Sequence, residues 1–68
     1  MKWYVAQLGI YTKNGCIMGV EDYEFEALDD EYAIEEAKAK GEEMENYYPC
    51  VMVDYLEDED GNEIKVYL

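Results

Sequence analysis

Carboxylates are the side chains of this sequence with the greatest potential for chemistry. All 18 aspartates and glutamates fall between Glu21 and Glu63. Residues 1–20 carry a net charge of +2. Residues 21–68 contain three lysines and all 18 acids, which gives a net charge of −15. Paired carboxylates can perform acid–base catalysis where a pocket separates their pKa values. The chain has no histidine, which excludes serine–histidine–aspartate and cysteine–histidine nucleophiles. We therefore expect a protein that is not an enzyme.

Residues 57–63, EDEDGNE, have the composition of a calcium-binding loop but not its register. With Gly61 at the sixth position, the first and twelfth ligand positions fall on Leu56 and Tyr67, where an EF-hand requires carboxylates. A solvated turn is the better interpretation. Cys16 and Cys50 form no CxxC pair, so we expect free thiols, no metal ion and no cofactor.

The charge also restricts the class of partner. A net charge of −13 on 68 residues repels nucleic acid and anionic membranes, which leaves a basic protein surface as the expected partner. Half of the residues are hydrophobic and eight are tyrosines, which favours one folded domain over residues 1–68 rather than disorder. No apolar run approaches the ~20 residues of a membrane-spanning helix, and Lys2 begins an alternating stretch rather than a signal peptide. We expect a cytoplasmic location.

The hydrophobic pattern predicts two strands, a helix and two further strands. Residues 3–11 alternate and are rich in aromatic and β-branched types. Asn14-Gly15 is typical of a tight turn with two positive-φ residues. Residues 16–28 form the second extended run, with a bulge expected midway, marked by Gly19 and the polar step Glu21-Asp22. Residues 50–56 and 63–68 form another hairpin. The expected fold is α+β, ββαββ: a four-stranded antiparallel sheet with one helix on one face.

The helix is expected to begin after Asp29 or Asp30, either of which can cap its free amides. We place its end near Glu45, because Pro49 excludes a continuation; an end at Gly41 is the alternative. At 100° per residue, one side of the helix collects Ala33, Ile34, Ala37, Gly41 and Met44. Most of these residues are small, so we expect the helix to lie close to the sheet.

The phase of the first strand decides which side chains can face a partner. Packing of Tyr4, Ala6, Leu8 and Ile10 under the helix would turn their neighbours to the uncovered face of the sheet. The side chains expected on that face are Trp3, Val5, Gln7, Tyr11, Glu24, Glu26, Cys50, Met52, Asp54, Lys65 and Tyr67. Such a mixture of aromatic residues, methionine and carboxylates suits binding to a protein. The alternative is a one-residue slip of the first strand, which would exchange the two faces.

The spacing of the acids fits imitation of nucleic acid. Alternate strand carboxylates such as Asp22, Glu24 and Glu26 recur about every 6.6 Å. Helical pairs such as Glu31 and Glu35 lie about 5–6 Å apart. Both distances are comparable with steps along a phosphate backbone, so a basic groove that binds nucleic acid would accept such rows, most strongly at low salt.

Residues 23–37, YEFEALDDEYAIEEA, resemble a strand-to-helix segment found in many small proteins of phages and mobile elements, including the DpnD/PcfM-like proteins. The whole chain is short, acidic, tyrosine-rich and without catalytic groups. In this it is similar to phage anti-CRISPR proteins and other anti-restriction inhibitors. The resemblance implies an inhibitor that occupies a basic nucleic-acid-binding site on a defence complex, in the cytoplasm of a bacterial host.

We therefore predict a non-catalytic inhibitor that acts by acidic mimicry and steric occlusion. The residues expected to bind the partner are Trp3, Glu24, Glu26, Glu31, Tyr32, Glu35, Glu42, Asp54 and Tyr67. One alternative is a self-associating structural or regulatory module of a mobile element, a homodimer joined through a sheet edge or the uncovered face. Another is an accessory subunit that folds well only on a larger complex.

Overall fold

The computed structural model describes residues 1–66, in which three strands and one helix form. In chain order they are β1 (Lys2–Tyr11), β2 (Ile17–Ala27), α1 (Asp30–Met44) and β3 (Cys50–Asp58). The strands make one antiparallel sheet in the order β2-β1-β3, and α1 packs on one face of it. The α+β class and the antiparallel sheet with a single helix are confirmed for this part of the chain.

The central strand β1 turns the predicted side chains towards the helix, and their neighbours towards solvent. Tyr4, Ala6 and Leu8 have no exposed surface, whereas 53% of Trp3 is exposed. Because the direction of side chains alternates along a strand, these values assign one face of β1 to the core and the other to solvent. The slipped alternative for this strand is therefore wrong.

A short turn at residues 13–15 joins β1 to β2. The Gly15 N–H donates to the Thr12 carbonyl (3.0 Å), and the Thr12 N–H donates to the Cys16 carbonyl (2.8 Å). Gly15 has φ +87°, whereas Asn14 does not have a positive φ. The turn lies where we predicted it, but the prediction of two positive-φ residues is wrong, because a three-residue loop needs one such residue at its end.

The predicted irregularity in β2 lies beside Gly19 and not at the step Glu21-Asp22. Ile10 pairs with Gly19 and Tyr11 pairs with Ile17, so Met18 is the extra residue of a bulge. From Gly19 to Ala27 the pairing with β1 is continuous. The acids of β2 therefore keep a regular register with β1.

Asp29 caps α1, since its Oδ1 accepts a hydrogen bond from the Tyr32 N–H (3.1 Å). The helix ends at Met44 with Glu45 as its C-cap, which confirms the predicted boundary and excludes an end at Gly41. The buried side of α1 consists of Ala33, Ala37, Gly41 and Met44. A Cβ added at Gly41 would lie 3.7 Å from the Val51 side chain. The small residues thus bring the helix close to the sheet, as expected.

Two tyrosine hydroxyls connect the sheet to the helix. Phe25 stacks against Tyr4 and Tyr23, with ring centroids 5.9 and 5.0 Å apart. The Tyr4 hydroxyl donates to Asp30 Oδ1 (2.9 Å), and the Tyr23 hydroxyl donates to Glu36 Oε2 (2.9 Å). Burial, together with the hydrogen bond to Asp30, raises the pKa of Tyr4 to about 12. Each ring therefore packs in the core while its polar group is satisfied at the helix.

The acidic turn after β3 is organised by one carboxylate. Asp58 accepts hydrogen bonds from the backbone N–H groups of Asp60 (3.0 Å) and Asn62 (2.9 Å), and Gly61 has φ +84°. The hydrogen bonds from Asn62 are the main cause that lowers the pKa of Asp58. A turn thus lies where the sequence predicted it, held by a side chain and by one left-handed glycine.

The predicted fourth strand is not seen within residues 63–66. The pairing there consists of an isolated bridge between Glu57 and Glu63 and a hydrogen bond from the Ile64 N–H to the Leu56 carbonyl (2.8 Å). Ile64 and Val66 pack against the core, so this segment covers the margin of the core instead of extending the ladder. Tyr67 and Leu68, the end of the predicted strand, lie outside the described residues.

We expect the domain to lose stability as the pH rises from about 10 to about 12. The pKa of Tyr4 is about 12 against an ordinary 10.0, and the pKa values of Tyr11, Tyr23 and Tyr55 are also raised. Unfolded tyrosines lose their protons at lower pH than these folded ones, so the free energy of unfolding falls with pH in this window. Below pH 10 the contribution is fully present.

Urea unfolding across this window measures the effect. In Tyr4→Phe the free energy of unfolding should fall less steeply with pH than in the wild type. The difference in slope should correspond to the release of up to about one proton per molecule on unfolding. Tyr47→Phe is the control, because this ring is 81% exposed. Identical slopes for Tyr4→Phe and the wild type would contradict the assignment.

Candidate partner-binding surface

The face of the sheet turned away from α1, here called the open face, carries side chains from all three strands. Cross-strand neighbours in an antiparallel sheet lie on the same side. By register, the open face comprises Trp3, Val5, Gln7, Gly9 and Tyr11 of β1, Ile17, Val20, Asp22, Glu24 and Glu26 of β2, and Cys50, Met52, Tyr55 and Glu57 of β3. The structure therefore places Trp3, Glu24 and Glu26 together, as the sequence predicted.

In one half of the open face, here called the acidic end, carboxylates flank β1 on both sides. Val5 pairs with Glu24 on β2 and with Glu57 on β3. Trp3 pairs with Glu26, and its backbone N–H lies 3.4 Å from Glu59 Oε1. A central aromatic and aliphatic stripe thus has acids on either side.

The strand geometry sets the dimensions of the acidic end. Carboxylates on alternate residues recur about every 6.6 Å along a strand, and neighbouring strands lie about 4.8 Å apart. The row on β2 (Asp22, Glu24 and Glu26) and the single carboxylate of Glu57 on β3 therefore lie about 10 Å apart on either side of β1.

The other half of the open face, here called the apolar end, exposes hydrophobic side chains. Val20 and Met52 flank Gly9, and Ile17 pairs with Tyr11. Ile17 is 60% exposed, Val20 51% and Met52 45%. An exposed group of this kind is typical of a surface that contacts another molecule.

Asp54 lies between these two halves because β3 has a bulge. The register between β1 and β3 shifts between Gln7 and Leu8, which leaves Asp54 as the extra residue. Its carboxylate accepts a hydrogen bond from the Tyr11 hydroxyl (2.7 Å) and lies over Gly9. This hydrogen bond is the main cause that raises the pKa of Tyr11.

The predicted binding residues are divided between two opposite surfaces. Trp3, Glu24, Glu26 and Asp54 belong to the open face, whereas the other exposed members, Glu31, Tyr32, Glu35 and Glu42, stand on the outer side of α1. The sheet separates the two groups, so one flat partner surface cannot contact both. Tyr67, the remaining predicted residue, lies outside the described residues.

Sequence reasoning left four residues of the acidic end out of its binding set: Asp22, Tyr55, Glu57 and Glu59. Alternation had already placed Asp22 in one row with Glu24 and Glu26, although the binding set did not include it. The alternation of β3 could not reveal Tyr55 or Glu57, because the bulge at Asp54 reverses it. Leu56 is consequently fully buried, although simple alternation from Cys50 would turn it outward.

The concave features of the described residues are open and mostly apolar. A groove of about 420 Å³ between α1 and β3 is lined by residues that include Lys38, Gly41 and Val53. A second, of about 550 Å³, lies beside Tyr11 and Cys50. Cys16 and Cys50 are free thiols, as expected. Within residues 1–66, no three or more cysteine, aspartate or glutamate side chains are grouped to hold a metal ion.

Comparisons with known proteins return no relative of this chain: no family model, no curated protein and no solved structure matches it. The resemblance of residues 23–37 to DpnD/PcfM-like proteins, and that of the whole chain to anti-CRISPR proteins, therefore stay hypotheses. Among residues 1–66, no helix combines the length and the apolarity that crossing a bilayer requires.

We expect Gly9→Ala to destabilise the domain by about 0.5–1.5 kcal/mol, because the Asp54 and Tyr11 side chains must move and the hydrogen bond between them is lost. A Cβ on Gly9 would collide with the Asp54 carboxylate and the Tyr11 ring. Asp54→Ala should therefore recover part of this loss in the double variant, which a urea-unfolding double-mutant cycle measures.

Gly19→Ala is the matched control, because a Cβ at that position would meet nothing within 4 Å. If Gly9→Ala costs as much in the Asp54→Ala background as in the wild type, the close approach of this carboxylate is not what requires the glycine.

Proposed function

We propose that this chain is a non-catalytic inhibitor whose open face binds a basic, nucleic-acid-binding surface of a partner protein and blocks it sterically. The observation that carries the proposal is the acidic end, where the carboxylate row of β2 flanks Trp3 and Val5 on one side and Glu57 and Glu59 flank them on the other. Nucleic acid and anionic membranes are not the expected partners, because a net charge of −13 repels both.

The two parts of the acidic end contribute differently to binding. Exposed carboxylates attract a basic surface over a distance and accelerate association, an effect that salt screens. Trp3 supplies a large side chain that a partner can desolvate, the property typical of residues that dominate binding energy. The outer side of α1 also carries glutamates, with Tyr32 exposed among them, but the open face adds the exposed side chains of Ile17, Val20 and Met52 to that of Trp3. The open face is therefore the better candidate.

The finer form of the proposal concerns the identity of the partner. The resemblance to small acidic phage proteins suggests a bacterial defence nuclease, in the cytoplasm of the host, as the target. Occupation of its nucleic-acid channel by an acidic domain would prevent the binding of its substrate without any chemical step.

Two charge-matched variants test which surface binds. Glu24→Gln/Glu26→Gln/Glu57→Gln removes three charges from the open face, and Glu31→Gln/Glu35→Gln/Glu42→Gln removes three from the outer side of α1. Each changes the net charge of −13 to −10. Tagged forms are incubated with lysate of bacteria that carry defence systems, and the retained proteins are identified by mass spectrometry.

The proposal expects the wild type and the α1 variant to retain a nucleic-acid-binding protein that added DNA or RNA displaces. The open-face variant should retain at most about a tenth as much, since three weakened charge pairs of roughly 0.5 kcal/mol each amount to about tenfold. Equal retention by both variants, or retention insensitive to nucleic acid and salt, would count against mimicry by this face.

A second candidate function, self-association, is favoured by the apolar end. Ile17, Met18 and Val20 are each more than half exposed, and they lie on β2, an edge strand of the described sheet. Edge strands offer backbone groups for pairing with another chain. A homodimer through this edge would make the chain a structural module.

Sedimentation across a concentration series distinguishes the two functions. Self-association predicts a dimer that forms at micromolar concentration, persists at high salt and is lost in Val20→Lys. Mimicry predicts a monomer throughout the series, because two copies with charge −13 repel one another.

A further inference from the structure

The open face has the width of one α-helix. The carboxylate row of β2 and Glu57 of β3 lie about 10 Å apart, which is close to the diameter of a helix with its side chains, about 10–12 Å. From Trp3 to Gly9 the central strand covers about 20 Å, the length of a helix of roughly 14 residues. Side chains of neutral or apolar character (Trp3, Val5 and Gln7) run along the middle.

A helix is also the element that can lie on the face of a sheet without losing backbone hydrogen bonds. An extended peptide pairs at a sheet edge, and on the face its N–H and C=O groups would lack partners. A helix satisfies its own backbone groups. The other face of this sheet already carries α1, so a second helix would complete a layered α/β/α arrangement.

The charges select the kind of helix. Lysine and arginine stems can pack along apolar surface while their charged ends reach outward, here to Glu24 and Glu26 on one side and Glu57 on the other. A second copy of this chain does not fit, because Glu31, Glu35 and Glu42 on the outer side of α1 would meet the same acids. The occupant must be basic on both flanks and apolar between them.

We propose that the open face receives one basic amphipathic α-helix of a partner protein, which lies along β1 with its apolar side on Trp3 and Val5. Helices that enter the major groove of DNA, about 12 Å wide, have this dimension and charge. The acidic end therefore offers such a helix carboxylates on both flanks, Glu24 and Glu26 on one side and Glu57 on the other, as the two sides of a DNA groove offer phosphates. The proposal rests on the proposed function and specifies the partner element.

Synthetic peptides without tryptophan test the inference on the full chain. One is an 18-residue helix former with leucine on one side and lysine or arginine elsewhere. The second has the same composition in an order that is not amphipathic, and the third carries two central prolines. Trp3 is the sole tryptophan of the chain, so a blue shift of its emission reports that a peptide covers it.

The amphipathic peptide should give a saturable blue shift and bind at least about tenfold more tightly than the other two. Glu24→Gln/Glu26→Gln/Glu57→Gln should weaken its binding about tenfold, and Glu31→Gln/Glu35→Gln/Glu42→Gln less than about threefold. Circular dichroism of each variant confirms that the fold is retained.

The outcomes separate this inference from the proposed function. Equal binding of all three peptides, with loss in the open-face variant, would overturn the helix but leave a basic partner in place. Equal loss in both variants would overturn the assignment of the face. If no peptide binds but the lysate experiment yields a protein that nucleic acid displaces, the proposal of a helical partner element is wrong and the inhibitor proposal stands. If no peptide binds and the lysate experiment yields no such protein, both proposals fail.

Discussion

The phase of β1 is the constraint on which the rest of the structure depends. As the central strand of the described sheet, β1 pairs with β2 and β3 along most of its length. Because paired residues lie on the same side of the sheet, the direction of each β1 side chain fixes the direction of its partners on both neighbouring strands. Tyr4, Ala6 and Leu8 bury one side completely. A slip by one residue would place Trp3 and Val5 under α1 and turn Tyr4 and Leu8 to solvent, at a cost of several buried side chains.

The acids of the chain have different roles, which their hydrogen bonds in the structure distinguish. Asp29 caps α1, Asp30 and Glu36 accept hydrogen bonds from tyrosines of the sheet, and Asp58 holds the turn after β3. These carboxylates are explained by the fold. Within residues 1–66, Asp22, Glu24 and Glu26 of the acidic end accept no hydrogen bond of this kind, and the mutual repulsion of the acids opposes folding. They are the carboxylates on which the proposed function rests.

The open face combines features that seldom occur on a surface that only contacts water. Its acidic end holds a half-exposed tryptophan between carboxylates, and its apolar end exposes Ile17, Val20 and Met52. Between the two ends, the Asp54 carboxylate lies over Gly9 and accepts a hydrogen bond from the Tyr11 hydroxyl. Attraction over a distance and a desolvated contact are thus available on the same face, whereas the outer side of α1 offers mainly charge.

The sequence by itself determined the helix with its small-residue side and the approximate positions of the strands and turns, because these follow from local periodicity and turn chemistry. It also revealed the one-sided charge. Burial of Tyr4, Ala6 and Leu8 decided between the two phases of β1, and the hydrogen bond from the Tyr32 N–H decided that Asp29 is the cap. Only the tertiary structure decided that Asn14 avoids positive φ, that residues 63–66 cover the core margin, and that the bulge at Asp54 turns Tyr55 and Glu57 to the open face. These features depend on cross-strand register, and register is set by packing between segments distant in sequence, which local patterns do not encode.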